Sequence, residues 1–181
     1  MASGPFTVLR DPSGAVTLAW GAAAINASAA RLGFTALVLT AEGIQDPSGT
    51  LERSLQIPIV RCGYLDSGDL EQAKRAVTRC GPQVAQLVRD GRRVLVTCAA
   101  GENRSALLAA YTRHLLTGEL GADIFASMER AGPQGFTNNV FRRWVLTWPL
   151  DTSVTASAWK KGAAVVGGLI AGALLVRLVM L

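Results

Sequence analysis

The residues of this chain best suited to chemistry by type and spacing are Cys98-Ala99-Ala100-Gly101-Glu102-Asn103-Arg104-Ser105. The cysteine, five residues and the arginine sit between an apolar run, Val94-Leu95-Val96, and a helix-like run over 106–116. Where a helix begins, the backbone N–H groups of 99–104 are not yet committed to helical bonds and can converge on an anion. Gly101 lets the loop bend where a Cβ would crowd it. Arg104 offers a planar fork for two phosphate oxygens. Cys98 brings a sulfur nucleophile, and a helix start beside an arginine favours thiolates in general. Ser105 can give the sulfur a hydroxyl bond that eases its departure in a second step. The cradle is phosphate-sized, with Ala99, Ala100, Gly101, Glu102, Asn103 and Arg104 around the anion. The plainer alternative is a buried cysteine near a helix start beside a surface arginine.

The elements that must hold this loop alternate as in α/β domains. Strands are expected at 16–20, 34–40, 57–60 and 94–97, with an alanine-rich helix near 22–32. Asp46-Pro47-Ser48-Gly49 marks a loop. A helix over 69–90 carries a stripe of Leu70, Ala73, Val77, Cys80, Val84 and Leu87, and Gly81-Pro82 should break or kink it. A helix over 104–116 ends at Gly118, and shorter helices are expected near 122–130 and 138–148. In the last, Val140, Phe141, Trp144, Val145 and Trp148 share one face, which reads as core.

The 181 residues are half hydrophobic, enough for one α/β core. The formal charge of +5 divides unevenly, because Lys160, Lys161 and Arg177 follow residue 159 and no acid does. Residues 1–159 carry 15 Lys and Arg against 13 Asp and Glu, a net of +2. That is too little for a nucleic-acid footprint, so no nucleic acid is expected as a partner. Cys62, Cys80 and Cys98 are odd in number and lack metal-ligand spacing, which fits a reducing compartment. Cys62 or Cys80 could protect the nucleophile as a disulfide, although Cys80 continues an apolar stripe and reads better as packing.

The segment Val94-Leu95-Val96-Thr97-Cys98-Ala99-Ala100-Gly101-Glu102-Asn103-Arg104-Ser105-Ala106 resembles the signature of the dual-specificity branch of the cysteine-based protein tyrosine phosphatases, His-Cys-x-x-Gly-x-x-Arg-Ser. Only the histidine is replaced, by Thr97. Tyr64-Leu65-Asp66-Ser67-Gly68-Asp69-Leu70 resembles the family's general-acid loop, with Asp66 lying 32 positions before Cys98. Asn138-Asn139-Val140-Phe141 resembles the Asn-x-x-Phe that opens its last helix. Gly33-Phe34-Thr35-Ala36-Leu37-Val38-Leu39 resembles its early helix-to-strand step. The resemblance covers residues 16–148 and implies a single α/β domain, with a central mixed sheet flanked by helices, over 1–150.

It also implies a two-step reaction without metal or organic cofactor. Cys98 attacks phosphorus, Arg104 and the loop amides hold the oxygens, and Asp66 protonates the leaving oxygen before acting as base toward water. Asp69 competes for that role but precedes a helix and suits an N-cap. Thr97 predicts weaker bracing of the loop than histidine would give, hence a slower enzyme near neutral pH. His114, the one histidine, falls mid-helix and reads as packing or surface. Glu102 argues against highly charged lipid head groups. The short domain predicts a shallow pocket for phosphotyrosine, phosphoserine and phosphothreonine on a phosphorylated protein substrate. A non-catalytic pseudophosphatase that binds phosphorylated partners is the alternative, with a lipid or nucleotide phosphatase as a minor third reading. Asn103 also occurs in RNA 5′-triphosphatases of the superfamily, which the weak charge disfavours.

The last residues form a second feature. Residues 162–176 are uncharged and apolar, and Arg177 precedes Leu178-Val179-Met180-Leu181. A helix of twenty residues spans about 30 Å, the thickness of a hydrocarbon core. Trp159, Lys160 and Lys161 flank it as interface anchors on a cytosolic side, and Arg177 is near enough to the end to snorkel. The expectation is a transmembrane anchor at 162–181 after a linker at 151–161, with the catalytic domain in the cytosol. The alternative is a final helix packed on the domain or on a partner. Ala164, Gly168 and Gly172 recur every four residues and would permit a homodimer.

Overall fold

The computed structural model describes residues 4–132 and 136–154. Five strands form one sheet: β1 (Phe6–Arg10), β2 (Val16–Ala22), β3 (Ala36–Leu39), β4 (Ile59–Arg61) and β5 (Val94–Cys98), in the order β1-β2-β5-β3-β4. β1 runs antiparallel to β2, while β2, β5, β3 and β4 are mutually parallel neighbours, so the sheet is mixed as expected. β1 has no counterpart among the expected strands. It is an edge strand, and its alternation is half exposed.

β5 holds the centre and all five of its residues are buried. Side chains alternate across a strand. Val94 and Val96 join Leu18, Trp20, Ala36 and Val38 in the larger core, under helices α3 (Leu70–Arg89), α4 (Asn103–Thr117), α5 (Gly121–Ala131) and α6 (Asn139–Val145). Leu95 joins Ala19, Ala29, Phe34, Leu37 and Leu39 in a smaller core on the opposite face. That second core is closed by partly buried residues including Leu51 and Leu55 of α2 (Leu51–Leu55).

Two expectations about helices change. The alanine-rich stretch at 22–32 is a single 3-10 helix, Ala23–Ser28, followed by turns, and Gly33 has φ +80°. Short apolar residues give such a segment little area to bury, and helix length comes mainly from packing. Of the break or kink expected at Gly81-Pro82, the break is absent, and α3 runs through Pro82 unbroken. Its buried stripe, Ala73, Ala76, Val77, Cys80, Gly81, Val84 and Ala85, offsets the lost N–H. Gly81 lets it approach α4, since a Cβ there would lie 2.5 Å from the Tyr111 ring. The α4 boundary is close to expectation, starting at Asn103 and ending against Gly118 at φ +70°.

The cysteines also depart from the expectation of unpaired thiols. Cys62, just after β4, and Cys80 in α3 form a disulfide with Cα atoms 6.2 Å apart, and Cys98 is the free cysteine among the described residues. Both partners face the larger core between β4 and α3, a proximity that neither spacing nor count could reveal. Neither is paired with Cys98. The expected anchor at 162–181, and 155–161 of the expected linker, lie outside the described residues. Among the described residues, no helix is long and apolar enough to cross a membrane.

The disulfide closes a loop of 18 residues in sequence, and closure of that length stabilises a fold by about 2–4 kcal/mol. The Cys62→Ala/Cys80→Ala double variant should lose stability on this scale in urea unfolding. An unchanged midpoint would remove the cross-link from the sources of stability.

Candidate active site

Cys98 is the last residue of β5 and Asn103 the first of α4, so the loop between them leaves the carboxyl end of the central strand. In open parallel sheets this is where ligands are bound. Strand parity sends Cys98 to the face of Val94 and Val96, and Thr97 to the opposite face. Cys98 is 2% exposed. Its Sγ accepts the Gly101 N–H at 3.2 Å and lies 3.2 Å from Ser105 Oγ. Sulfur therefore has a backbone donor and a hydroxyl beside it. Ser105 is buried and reaches back from the first turn of α4.

The loop has its shape because Gly101 adopts φ +80° against the end of β2. A Cβ there would stand 2.5 Å from Ala22 N and 2.6 Å from Gly21 C. Both neighbours are backbone and cannot swing aside. Ala23 N–H bonds the Ala99 carbonyl at 3.3 Å and ties the loop to the chain leaving β2.

Arg104 lies half-buried at the start of α4 and donates through Nη1 to the Tyr64 carbonyl at 3.3 Å. Its Nε is buried with no partner among the described residues. A buried, unpaired guanidinium N–H is costly unless an acceptor arrives, and an oxyanion over the loop is such an acceptor. Tyr64 answers in the other direction, its hydroxyl donating to the Arg104 carbonyl at 2.5 Å. Burial, and then the nearby Cys98, hold the Tyr64 phenol well above its usual pKa, so it remains a neutral donor.

Asp66 lies in the loop between β4 and α3, exposed, and its carboxylate faces the loop through Asn103. Asn103 Nδ2 donates to Asp66 Oδ2 at 3.0 Å, and Asn138 Nδ2 donates to Asp66 Oδ1 at 2.9 Å. Asp69 caps α3, accepting from Gln72 N at 3.0 Å, as its position before the helix suggests. Asn138 caps α6 through Val140 N and Phe141 N. Glu102 is the N-cap residue of α4 without a capping bond, and its carboxylate takes a long 3.4 Å bond from Thr137. Ala99 and Ala100 are exposed at the mouth of the loop. His114 packs beside Trp148 and bonds the Glu119 carbonyl at 2.8 Å, in keeping with a packing residue.

Thr97 has a partner that the sequence did not suggest. Gln45, at the end of α1 (Glu42–Gln45), donates to Thr97 Oγ1 at 2.8 Å, and Thr97 Oγ1 donates to the Val38 carbonyl at 3.3 Å. The Gln45 Oε1 accepts Ala41 N–H at 2.7 Å, which fixes the amide's orientation. Next to it, Asp46 binds Arg61 at 2.8 Å and accepts Thr50 N–H at 2.9 Å. The Arg61 guanidinium holds the Asp46 carboxyl below the usual carboxylate range. The turn that carries Gln45 is thus pinned from both sides. Gln45 and Thr97 are 52 residues apart, so no local pattern announces them.

A cleft of about 480 Å³ opens beside the loop, lined by Ala41, Gly43, Ile44, Gly63, Tyr64, Leu65, Gln72 and Arg104. Arg104 is the one cation among these lining residues, and Ile44 and Leu65 form an exposed apolar rim. The arrangement brings together Cys98, Arg104, Ser105 and, through Asn103, Asp66.

No family model matches this sequence, and no curated protein matches it. Among solved structures, human DUSP28 superimposes with a TM-score of 0.66 at 19% identity, over 82% of this chain and 94% of that one. A mouse putative dual specificity phosphatase gives 0.64 at 20% identity, over 87% and 94%. PTPMT1 gives 0.61 at 12% identity, over 87% and 99%. The fold is that of the dual-specificity, cysteine-based tyrosine phosphatases.

Gly101→Ala must push the loop off β2. Affinity for inorganic phosphate, read by calorimetry, should fall about tenfold or more, the scale of one lost bond to a charged group. Unchanged affinity would mean that the loop does not bind the anion in this conformation.

Proposed function

We propose that this chain is a phosphomonoester hydrolase acting on phosphorylated proteins, on phosphotyrosine and on phosphoserine and phosphothreonine, through a phosphocysteine intermediate. The observation that carries the reading is the buried Arg104 Nε, without a partner among the described residues, in a loop whose cysteine sulfur already has a backbone and a hydroxyl partner. A phosphate dianion completes Arg104, and the sulfur beneath it is the nucleophile.

In the first step the Cys98 Sγ–P bond forms as the P–O ester bond breaks, and Asp66 gives its proton to the leaving oxygen. In the second, Asp66 takes a proton from water as the new P–O bond forms and the S–P bond breaks. The Ser105 hydroxyl steadies the departing sulfur, and inorganic phosphate leaves. Substrate choice follows from the cleft: one fixed cation suits one phosphate, and the apolar rim of Ile44 and Leu65 suits an aromatic ring or an apolar neighbour of the phosphoresidue. Its open form favours no single hydroxyl amino acid.

The rival reading, a pseudophosphatase, is favoured by Thr97 at the family's histidine position and by the 2% exposure of Cys98. Hydrolysis of an aryl phosphate separates the two. Activity should vanish in Cys98→Ser and fall by about 10²–10⁴ in Asp66→Asn, with phosphate affinity retained in the latter. A wild-type protein that binds phosphate but turns nothing over would leave the binding module standing.

The apolar composition of 162–181 supports attachment to a membrane, with the catalytic domain on the Lys160-Lys161 side. The full chain should stay with membranes through alkaline carbonate washing and a chain ending at 161 should not. Equal release of both would dismiss the anchor.

A further inference from the structure

We infer that Asn103 is the positioning residue of the general acid, holding Asp66 to the phosphate loop so that nucleophile and acid move as one unit. The inference rests on the phosphatase reading, and it gives the variable position before the arginine a task of its own. Asn103 is 8% exposed, yet its side chain is fully employed. Nδ2 donates to Asp66 Oδ2 and to Thr137 Oγ1, both at 3.0 Å. Oδ1 accepts the backbone N–H of Asn138 at 2.8 Å. A backbone N–H is always a donor, so the amide cannot be turned around and its N–H₂ must face Asp66.

Asp66 needs such a hold because its own loop gives it little. It is exposed, and the bonds within its loop, from Leu65 N–H to Gln72 at 3.3 Å, from Asp69 N–H to Ser67 Oγ at 3.2 Å and from Leu70 N–H to the Gly68 carbonyl at 3.0 Å, do not involve its carboxylate. The two carboxylate oxygens are instead held from two other elements, Oδ2 by Asn103 at the start of α4 and Oδ1 by Asn138 at the cap of α6. Asn138 also donates to the Ser67 carbonyl at 3.1 Å, which draws the acid loop toward the same cap. Asn138 alone would leave the carboxyl free to pivot about one oxygen. Asn103 removes that freedom and does so from within the loop that binds the phosphate. Aspartate at 103 would repel Asp66, and alanine or serine could not span the 3.0 Å bond.

An acid that is slightly misplaced matters most when the leaving group needs its proton. The test is kcat/KM over a series of aryl phosphates with increasingly basic leaving groups, for wild type, Asn103→Ala, Asp66→Asn and the double variant. Asn103→Ala should lose about tenfold or more on the most basic leaving group, part of the ~10²–10⁴ that a general acid supplies. The loss should shrink on the least basic one, and the inhibition constant of inorganic phosphate should stay unchanged. In the Asp66→Asn background the same substitution should cost nothing further, since the two act through one group. Asn103→Ser gives the same readout if the alanine variant does not fold. Equal losses across the series, additive losses in the double variant, or weakened phosphate inhibition would each overturn the inference and reduce Asn103 to a loop support. A wild type that hydrolyses none of the series overturns the phosphatase reading itself, and the inference with it.

Discussion

Everything at the site depends on β5 being paired on both edges and covered on both faces. Its backbone is bonded to β2 and β3, and its five residues are buried. A strand so enclosed cannot slip by one residue without exchanging its faces, which would put Val94 and Val96 where Leu95 belongs. Cys98 is therefore delivered to one face of the sheet and Thr97 to the other, and the loop begins at a fixed height. Gly101 then turns against the end of β2, so the same pairing that builds the core shapes the loop.

From this fixed point the site is assembled by polar bonds between elements. Tyr64 and Arg104 exchange backbone and side-chain bonds across the cleft, joining the chain after β4 to the start of α4. Asn103, Thr137 and Asn138 join α4, the approach to α6 and the loop of Asp66. On the other face Gln45 and Thr97 tie α1 to β5. Each of these bonds is worth little alone, about 0.5–1.5 kcal/mol net. Together they restrict how Cys98, Arg104 and Asp66 lie relative to one another.

The Gln45–Thr97 bond bears on the departure at Thr97. Threonine is shorter than histidine, but it is wholly buried and its hydroxyl both accepts and donates. A bracing bond thus exists at this position, supplied from a different element. The Cys62–Cys80 disulfide works in the same direction, anchoring the segment between β4 and the loop of Asp66 to α3.

The local frame around Cys98 was legible from the residues alone. Cys98, Arg104, Ser105 and Gly101 stand within one strand-turn-helix, where spacing decides geometry because the chain has no room to do otherwise. The caps at Asp69 and Gly118 and the stripe of α3 were legible for the same reason, being set by residues a turn apart. Pro82 inside α3, the 3-10 turn at Ala23–Ser28 and the edge strand β1 were not, because packing against distant residues outweighed local preference there. The partners across the fold came from how sheet and helices pack: Cys62 with Cys80, Gln45 with Thr97, and Asn103 with Asp66. These pairs lie 18, 52 and 37 residues apart, and nothing in a linear spacing says which side chains a sheet and its helices will bring to hydrogen-bonding distance.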